Sequence, residues 1–189
     1  LAVENGSAVV TEILSVHHTA VDFDVPRGAT DCHTHIFGPA AKYPYWSRRV
    51  YTPPDAAIAD MRALHKQLGI DRVVIVHPSV YGTDNRCSID AVPELGYPAR
   101  VVAVIDPAIK DAELEAMQKA GVRGVRLNLE TAGVTDPVAS RTQFLKIAAR
   151  VAPLGWHVQF FTNLNVIAAL EETFAASPVP VVIDHFGRA

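Results

Sequence analysis

The chain has 189 residues, of which 49% are hydrophobic and 20% are charged, and its formal net charge is −3. This composition is typical of a globular protein with a sizeable core, and the near-neutral charge argues against nucleic acid or an anionic membrane surface as a partner. No apolar run approaches the roughly 20 residues of a membrane span.

The start of the chain and its cysteines add little about function. We see no basic segment followed by an apolar one, as a signal peptide would show. The two cysteines, Cys32 and Cys87, are distant in the chain and do not indicate a disulfide framework. We therefore expect a cytoplasmic protein, and the sequence does not indicate its oligomeric state.

Residues 1–29 are interpreted as an N-terminal lead-in segment with a short apolar element at 8–14. Two histidines in it, His17 and His18, have no neighbouring residue that would complete a site.

From residue 30 onward, short apolar segments alternate with amphipathic ones. Strands are predicted at residues 30–37, 72–76, 101–105, 122–129, 156–161 and 179–184. Helices are predicted at residues 55–68, 111–120, 140–153 and 166–176.

This alternation indicates βαβ units and therefore an α/β fold with a parallel sheet. A doubly wound sheet is disfavoured because no glycine-rich dinucleotide loop follows a strand. Polar residues gather where strands end, as at the mouth of a (β/α)₈ TIM barrel. A barrel has eight strands and we count about six, so we expect residues 30–189 to be a partial barrel from a longer protein, with the C-terminal strands missing.

The most informative motif is His33-Thr34-His35. Residues two apart on a strand point to the same side, so both imidazoles should project into one space. His185 ends a later buried strand and should face the same mouth. We therefore predict a shared site of three histidines, with separately satisfied core or surface histidines as the alternative. Asp184 should point away from this site, towards a salt bridge with a helix.

Other histidines are left out of the site. His65 is expected on a helix surface, and His157 lies at the start of its strand, which is the end opposite to the mouth.

A second feature is Arg126, near the end of the fourth predicted strand. A guanidinium directed into a barrel needs an anionic partner, and its planar fork suits a carboxylate. The partner is either a substrate carboxylate or an internal acid, Glu130 or Asp106. Arg188 could supply a second fork, and Ser79 lies in a loop at the barrel mouth.

Several segments together resemble the amidohydrolase superfamily (amidohydrolase family 2), and more narrowly its lactonase-type branch. They are residues 31–39 (DCHTHIFGP), 51–55, 82–85, 121–128, 155–158 and 184–188. The resemblance implies a TIM barrel in which His33, His35 and His185 are catalytic. It also implies substrate contacts by Tyr51, Ser79, Arg126 and Arg188. In this branch, the general base that activates the attacking water is an aspartate at the end of the eighth strand. That strand is not among the six predicted here.

The sequence departs from the wider superfamily at two places. Metal-dependent members carry a lysine or carboxylate on the fourth strand and a histidine ending the fifth, where this chain has Arg126 and residues 160–162. Dicarboxylate lactonases of the branch have a further arginine shortly after the position of Arg126. Here residues 131–133 read Thr-Ala-Gly, so one carboxylate clamp is missing and a different substrate is expected.

Taken together, these residues predict a hydrolase that opens a small carboxylate-bearing lactone by water attack on the ester carbonyl, with no cofactor required. One alternative is a metal-dependent amidohydrolase or decarboxylase in which His33, His35 and His185 hold a divalent metal such as Zn²⁺. The other is a non-catalytic carboxylate-binding barrel or an inactive fragment. The expected partner is in each case a small anionic lactone or carboxylate.

Overall fold

The computed structural model describes residues 21–189, so the predicted element at 8–14 and the pair His17 and His18 lie outside the described residues. Six parallel strands form one sheet whose spatial order follows the chain. They are β1 (Thr30–Thr34), β2 (Arg72–Val76), β3 (Ala99–Ala103), β4 (Val122–Leu127), β5 (His157–Phe160) and β6 (Val181–Ile183). Each strand pairs with the next in sequence, as in a barrel wall, whereas a doubly wound sheet reverses its order. The six predicted strands are thus confirmed.

The helices follow the strands, as expected for βαβ units. They are α1 (Ile58–Leu68), α2 (Arg86–Leu95), α3 (Asp111–Lys119), α4 (Pro137–Val151), α5 (Leu164–Ala169) and α6 (Glu171–Ala175). Helix α4 begins before the predicted residue 140, because the Asp136 carboxylate accepts hydrogen bonds from the first-turn amides. The single helix predicted at 166–176 is interrupted at Leu170. Across residues 21–189, no helix is long and apolar enough to cross a membrane.

Side-chain alternation along β4 and β5 separates the core from the site. Val125, Val158 and Phe160 are buried, and Phe160 lies 5.3 Å from Phe144 of α4 between ring centroids. The residues between them face the other side of the sheet. Arg126 of β4 is in register with Gln159 of β5, so two polar side chains meet on the inner face.

One prediction about the outer layer was wrong. His65 is not on a helix surface but is 2% exposed, because it lies one turn after the buried Met61 on the same face of α1. Its Nε2 lies 3.1 Å from Asp31 Oδ2 and its Nδ1 lies 2.6 Å from the Tyr97 hydroxyl. Asp31 also accepts a hydrogen bond from the backbone amide of His33 at 3.1 Å. His65 therefore supports β1 from the helix side.

Candidate active site

The three predicted histidines come together at the carboxyl ends of β1 and β6. His33 is near the end of β1, His35 follows directly after it, and His185 follows β6. The ring centroid of His33 lies 5.3 Å from that of His35 and 5.0 Å from that of His185. The described geometry therefore forms one imidazole cluster rather than three separate environments.

An ion pair between Arg126 and Asp184 lies beside this cluster. Arg126 Nε donates to Asp184 Oδ2 at 2.7 Å and Nη2 lies 2.7 Å from the same oxygen, and the two residues are 5% and 4% exposed. The prediction that Asp184 points away towards a helix was wrong. Because β6 ends at Ile183 and residues 184–188 form a turn, strand alternation no longer fixes the direction of this side chain.

Asp184 links Arg126 to the histidines. Its Oδ1 accepts a hydrogen bond from the side-chain amide of Gln159 and lies 3.4 Å from His33 Nδ1. Burial alone would raise the pKa of Asp184, but the hydrogen bond to His33 and the charge of Arg126 outweigh burial and hold this pKa below its ordinary value. Asp184 is therefore an ionised carboxylate at neutral pH. Sequence reasoning missed Gln159, although a polar residue between the buried Val158 and Phe160 was a signal that could have revealed it.

The protonation of His35 follows from its surroundings. Burial lowers its pKa to about 4, an effect that the charge of Arg126 reinforces and a hydrogen bond to Val76 opposes. The ring is therefore neutral at pH 7. Its Nδ1 lies 2.7 Å from the Val76 carbonyl oxygen, which can only accept, so Nδ1 carries the proton. The Nε2 atom of His35 is thus unprotonated and can act as an acceptor.

His33 differs from His35 in its Nδ1 contacts. Its Nδ1 lies 3.3 Å from the amide nitrogen of Gln159, which can only donate, and 3.4 Å from the Asp184 carboxylate, which can only accept, so these contacts do not fix the position of the His33 proton. The Nε2 atom of His33 is buried and has no hydrogen-bond partner among residues 21–189. Buried polar atoms are nearly always paired, so this nitrogen is available to a bound molecule. The motif thus offers the unpaired Nε2 of His33 and the acceptor Nε2 of His35.

A cavity of about 670 Å³ adjoins the ion pair, and Arg126, Ser79 and Asn128 are among its lining residues. Its volume is in the range of small-molecule sites. The Asn128 Oδ1 atom is buried without a hydrogen-bond partner in the described part of the chain. The structure therefore brings two of the four predicted substrate residues to the cavity.

The other two predicted substrate residues lie elsewhere. Tyr51 is 44% exposed and is not part of the cavity wall. Arg188 pairs with Glu130 at 2.9 Å, and its guanidinium carbon lies 5.8 Å from the centre of the Phe161 ring. Glu130, which the sequence offered as a partner for Arg126, thus neutralises Arg188 instead.

The donor atoms near the histidine cluster bear on metal binding. Within residues 21–189, the side chains that offer ligand atoms within 4.8 Å of one another are His33, Asp184 and His185, and they do not include His35, the third ligand expected from the sequence. The only carboxylate in this group is already bound by Arg126 at 2.7 Å, so a metal would have to share it with a fixed positive charge. This arrangement does not fit a resident divalent cation.

Comparison with known proteins supports the lactonase-type resemblance. The chain is 42% identical over 166 residues to a 2-pyrone-4,6-dicarboxylate hydrolase of Comamonas testosteroni, covering 88% of this chain and 54% of that protein. It is 36% identical over 170 residues to a 4-sulfomuconolactone hydrolase of Rhizobium radiobacter, covering 89% of this chain and 56% of that protein. The chain thus spans about half the length of these curated relatives.

Solved structures share the fold. The crystal structure of a probable 2-pyrone-4,6-dicarboxylic acid hydrolase from Acinetobacter baumannii, with citric acid bound, superposes with a TM-score of 0.75 at 26% sequence identity, covering 86% of this chain and 60% of that one. The family model described as amidohydrolase matches residues 30–189. With its parallel barrel-type sheet and its histidine cluster at the strand ends, this chain belongs to the amidohydrolase family.

Proposed function

We propose that the protein hydrolyses a small carboxylate-bearing lactone by water attack on the ester carbonyl. The observation that carries this proposal is the cluster of His33, His35 and His185 beside the buried Arg126–Asp184 pair. The names of the two curated relatives, both lactone hydrolases, support the same reaction class. The expected ligand is a small anionic lactone.

Arg126 is assigned to the substrate carboxylate. It lines the cavity, and its contacts with Asp184 use Nε and Nη2, which leaves the Nη1 donors for a ligand. Asp184 fixes the guanidinium in place before the substrate arrives, so no side-chain ordering is required at the moment of binding. Ser79 and Asn128, in the same cavity wall, add neutral hydrogen-bonding groups.

The histidines are assigned to the ester. The unpaired Nε2 of His33, carrying a proton, is assigned as the donor to the carbonyl oxygen, where negative charge develops as water adds to the carbonyl carbon. A preorganised donor of this kind typically lowers the barrier by about 2.7–4 kcal/mol. The acceptor Nε2 of His35 binds a hydrogen of the attacking water. His185 lies on the other side of His33, with its ring centroid 5.0 Å from that of His33.

The reaction then breaks the bond between the carbonyl carbon and the ring oxygen, which leaves as a hydroxyl group after taking up a proton. The products are one new carboxylate and one hydroxyl on an opened chain. By the resemblance, the general base is an aspartate after an eighth strand, which lies outside the six strands described here.

The test uses the intact protein and 2-pyrone-6-carboxylate, whose ring opening is followed by ultraviolet absorbance. We expect His33→Asn to lower kcat about 10²- to 10³-fold, the usual effect of losing one such donor, with little change in KM. Arg62→Gln on helix α1 is the control, because its guanidinium donates to the backbone oxygen of Glu94 away from the histidine cluster, and it should keep kcat within a few-fold. Equal losses in both variants would contradict the assignment of His33.

A zinc-dependent hydrolase or decarboxylase is the second candidate, since His33, Asp184 and His185 lie within 4.8 Å of one another. The commitment of Asp184 to Arg126 disfavours it. Exhaustive chelation, followed by metal analysis and an activity assay, separates the candidates. Loss of activity when one equivalent of zinc is removed, and its recovery when zinc is added back, would establish the metal-dependent reaction.

A non-catalytic carboxylate-binding barrel is the third candidate. Binding of carboxylated lactones by the intact protein without any ring opening would support it.

The cytoplasmic location stays a prediction from the sequence.

A further inference from the structure

The cavity beside the ion pair is lined by more positive charge than the assigned site uses. Three arginines contribute to its wall, Arg48 and Arg49 from the loop after β1 and Arg126 from β4, against one acid, Asp84. The cavity holds about 670 Å³, enough for a small ring with more than one substituent.

The internal partners of these groups differ. Arg126 is neutralised by Asp184, with two contacts at 2.7 Å. The acid in the wall, Asp84, is in turn bound by Arg86, whose Nε and Nη2 lie 2.8 and 2.6 Å from its carboxylate oxygens. The buried ion pair and this second pair therefore add no net charge to the cavity.

Arg48 and Arg49 remain without an acidic partner among residues 21–189. Arg49 donates to two neutral groups, the Thr52 hydroxyl at 2.8 Å and the Trp46 carbonyl at 3.3 Å, and its guanidinium lies over the Tyr45 ring. The guanidinium of Arg48 lies 6.0 Å from the centre of the Trp46 ring, and no ion pair holds it. The uncompensated charge of the cavity thus comes from one loop.

This loop is positioned by the rest of the mouth. The backbone amide of Trp46 donates to the Val80 carbonyl at 2.8 Å. The Trp46 ring covers Gly82, which has a φ of 60° and where an added Cβ would come within 3.1 Å of the indole. Because residue 82 is a glycine, the indole of Trp46 can approach its backbone closely. This contact keeps Trp46 and the nearby Arg48 at the rim of the cavity.

We propose that Arg48 is a specificity-determining residue that binds a second anionic group of the substrate, a carboxylate or sulfonate, while Arg126 binds the first. This inference rests on the proposed function for the identity of the first group. It places the two anion contacts on different elements, the loop after β1 and strand β4. It also revises the expectation, drawn from the neutral residues at 131–133, that the site lacks a second clamp.

The test measures equilibrium binding by calorimetry and turnover by absorbance in the intact protein. The ligands are 2-pyrone-4,6-dicarboxylate and 2-pyrone-6-carboxylate. Arg48→Gln should weaken binding of the dicarboxylate about tenfold or more, the usual effect of losing a hydrogen bond between charged groups, and should leave the monocarboxylate within twofold. Arg48→Lys should keep part of the preference. Arg62→Gln, the same change on α1 away from the cavity, should alter neither ligand.

The outcomes are distinct. Equal weakening of both ligands, or no change in either, would overturn the role of Arg48. Selective weakening of the dicarboxylate without any ring opening by the wild-type protein would support this role and refute the proposed function. Failure of the wild-type protein to bind either ligand would overturn both.

Discussion

The buried ion pair gives the sharpest prediction about stability. Asp184→Asn removes the only acidic partner of Arg126 among the described residues and leaves a guanidinium that is 5% exposed without a counter-charge. Breaking a buried pair by removing one partner typically costs about 3–5 kcal/mol, because the remaining charge stays desolvated. We therefore expect the free energy of unfolding, measured by urea denaturation of the intact protein, to fall by about this amount.

A more exposed ion pair with similar contact distances supplies the control. Asp84 and Arg86 are as close, at 2.6 Å, but their side chains are 34% and 62% exposed, so Asp84→Asn should cost less than about 1 kcal/mol. The double variant Asp184→Asn with Arg126→Met should lose less stability than the sum of the single variants, since no unpaired charge remains. A loss below about 1 kcal/mol for Asp184→Asn alone would refute the reasoning.

Two further predictions concern buried histidines. Burial lowers the pKa of His77 to about 3 and that of His35 to about 4, so between pH 6.5 and 4 the unfolded chain binds protons that the folded chain does not. The free energy of unfolding should therefore fall on acidification by up to about 1.4 kcal/mol per pH unit for each histidine. The variant His77→Asn should reduce this slope. A free energy of unfolding that does not change with pH in this range would contradict the burial of the two histidines. His65→Leu should cost about 1–3 kcal/mol in urea denaturation by removing the partner of Asp31 Oδ2 and of the Tyr97 hydroxyl. The exposed neighbour Lys66→Leu should stay within about 0.5 kcal/mol, and equal effects would place His65 on the surface after all.

The strands could be predicted because they are buried on both faces and read as continuous apolar runs. Val73, Ile75 and Val76 are each at most 1% exposed, which is the environment that such a run indicates. Helix α2 was missed because turn-forming residues precede it and Pro93 lies within it. The helix keeps this proline near its end, and its buried residues Ala91 and Leu95 pack into the core.

The histidine cluster could be predicted in the same way, since His33, His35 and His185 lie at the ends of predicted parallel strands. The ion pair could not, because it joins residues 58 positions apart and depends on how the chain turns after β6. Arg126 was correctly expected to need an anionic partner. Identifying Asp184 as that partner required the geometry of the turn, where strand alternation no longer applies.

Isotope labelling is the most direct test of hydrolysis of a carboxylated lactone by water attack at the carbonyl. The intact protein, treated with chelator, is incubated with 2-pyrone-6-carboxylate in water enriched in the heavy oxygen isotope, and the product is analysed by mass spectrometry. We predict ring opening with a labelled oxygen atom in the newly formed carboxylate. Absence of ring opening, or a new carboxylate without label, would contradict water attack at the carbonyl carbon.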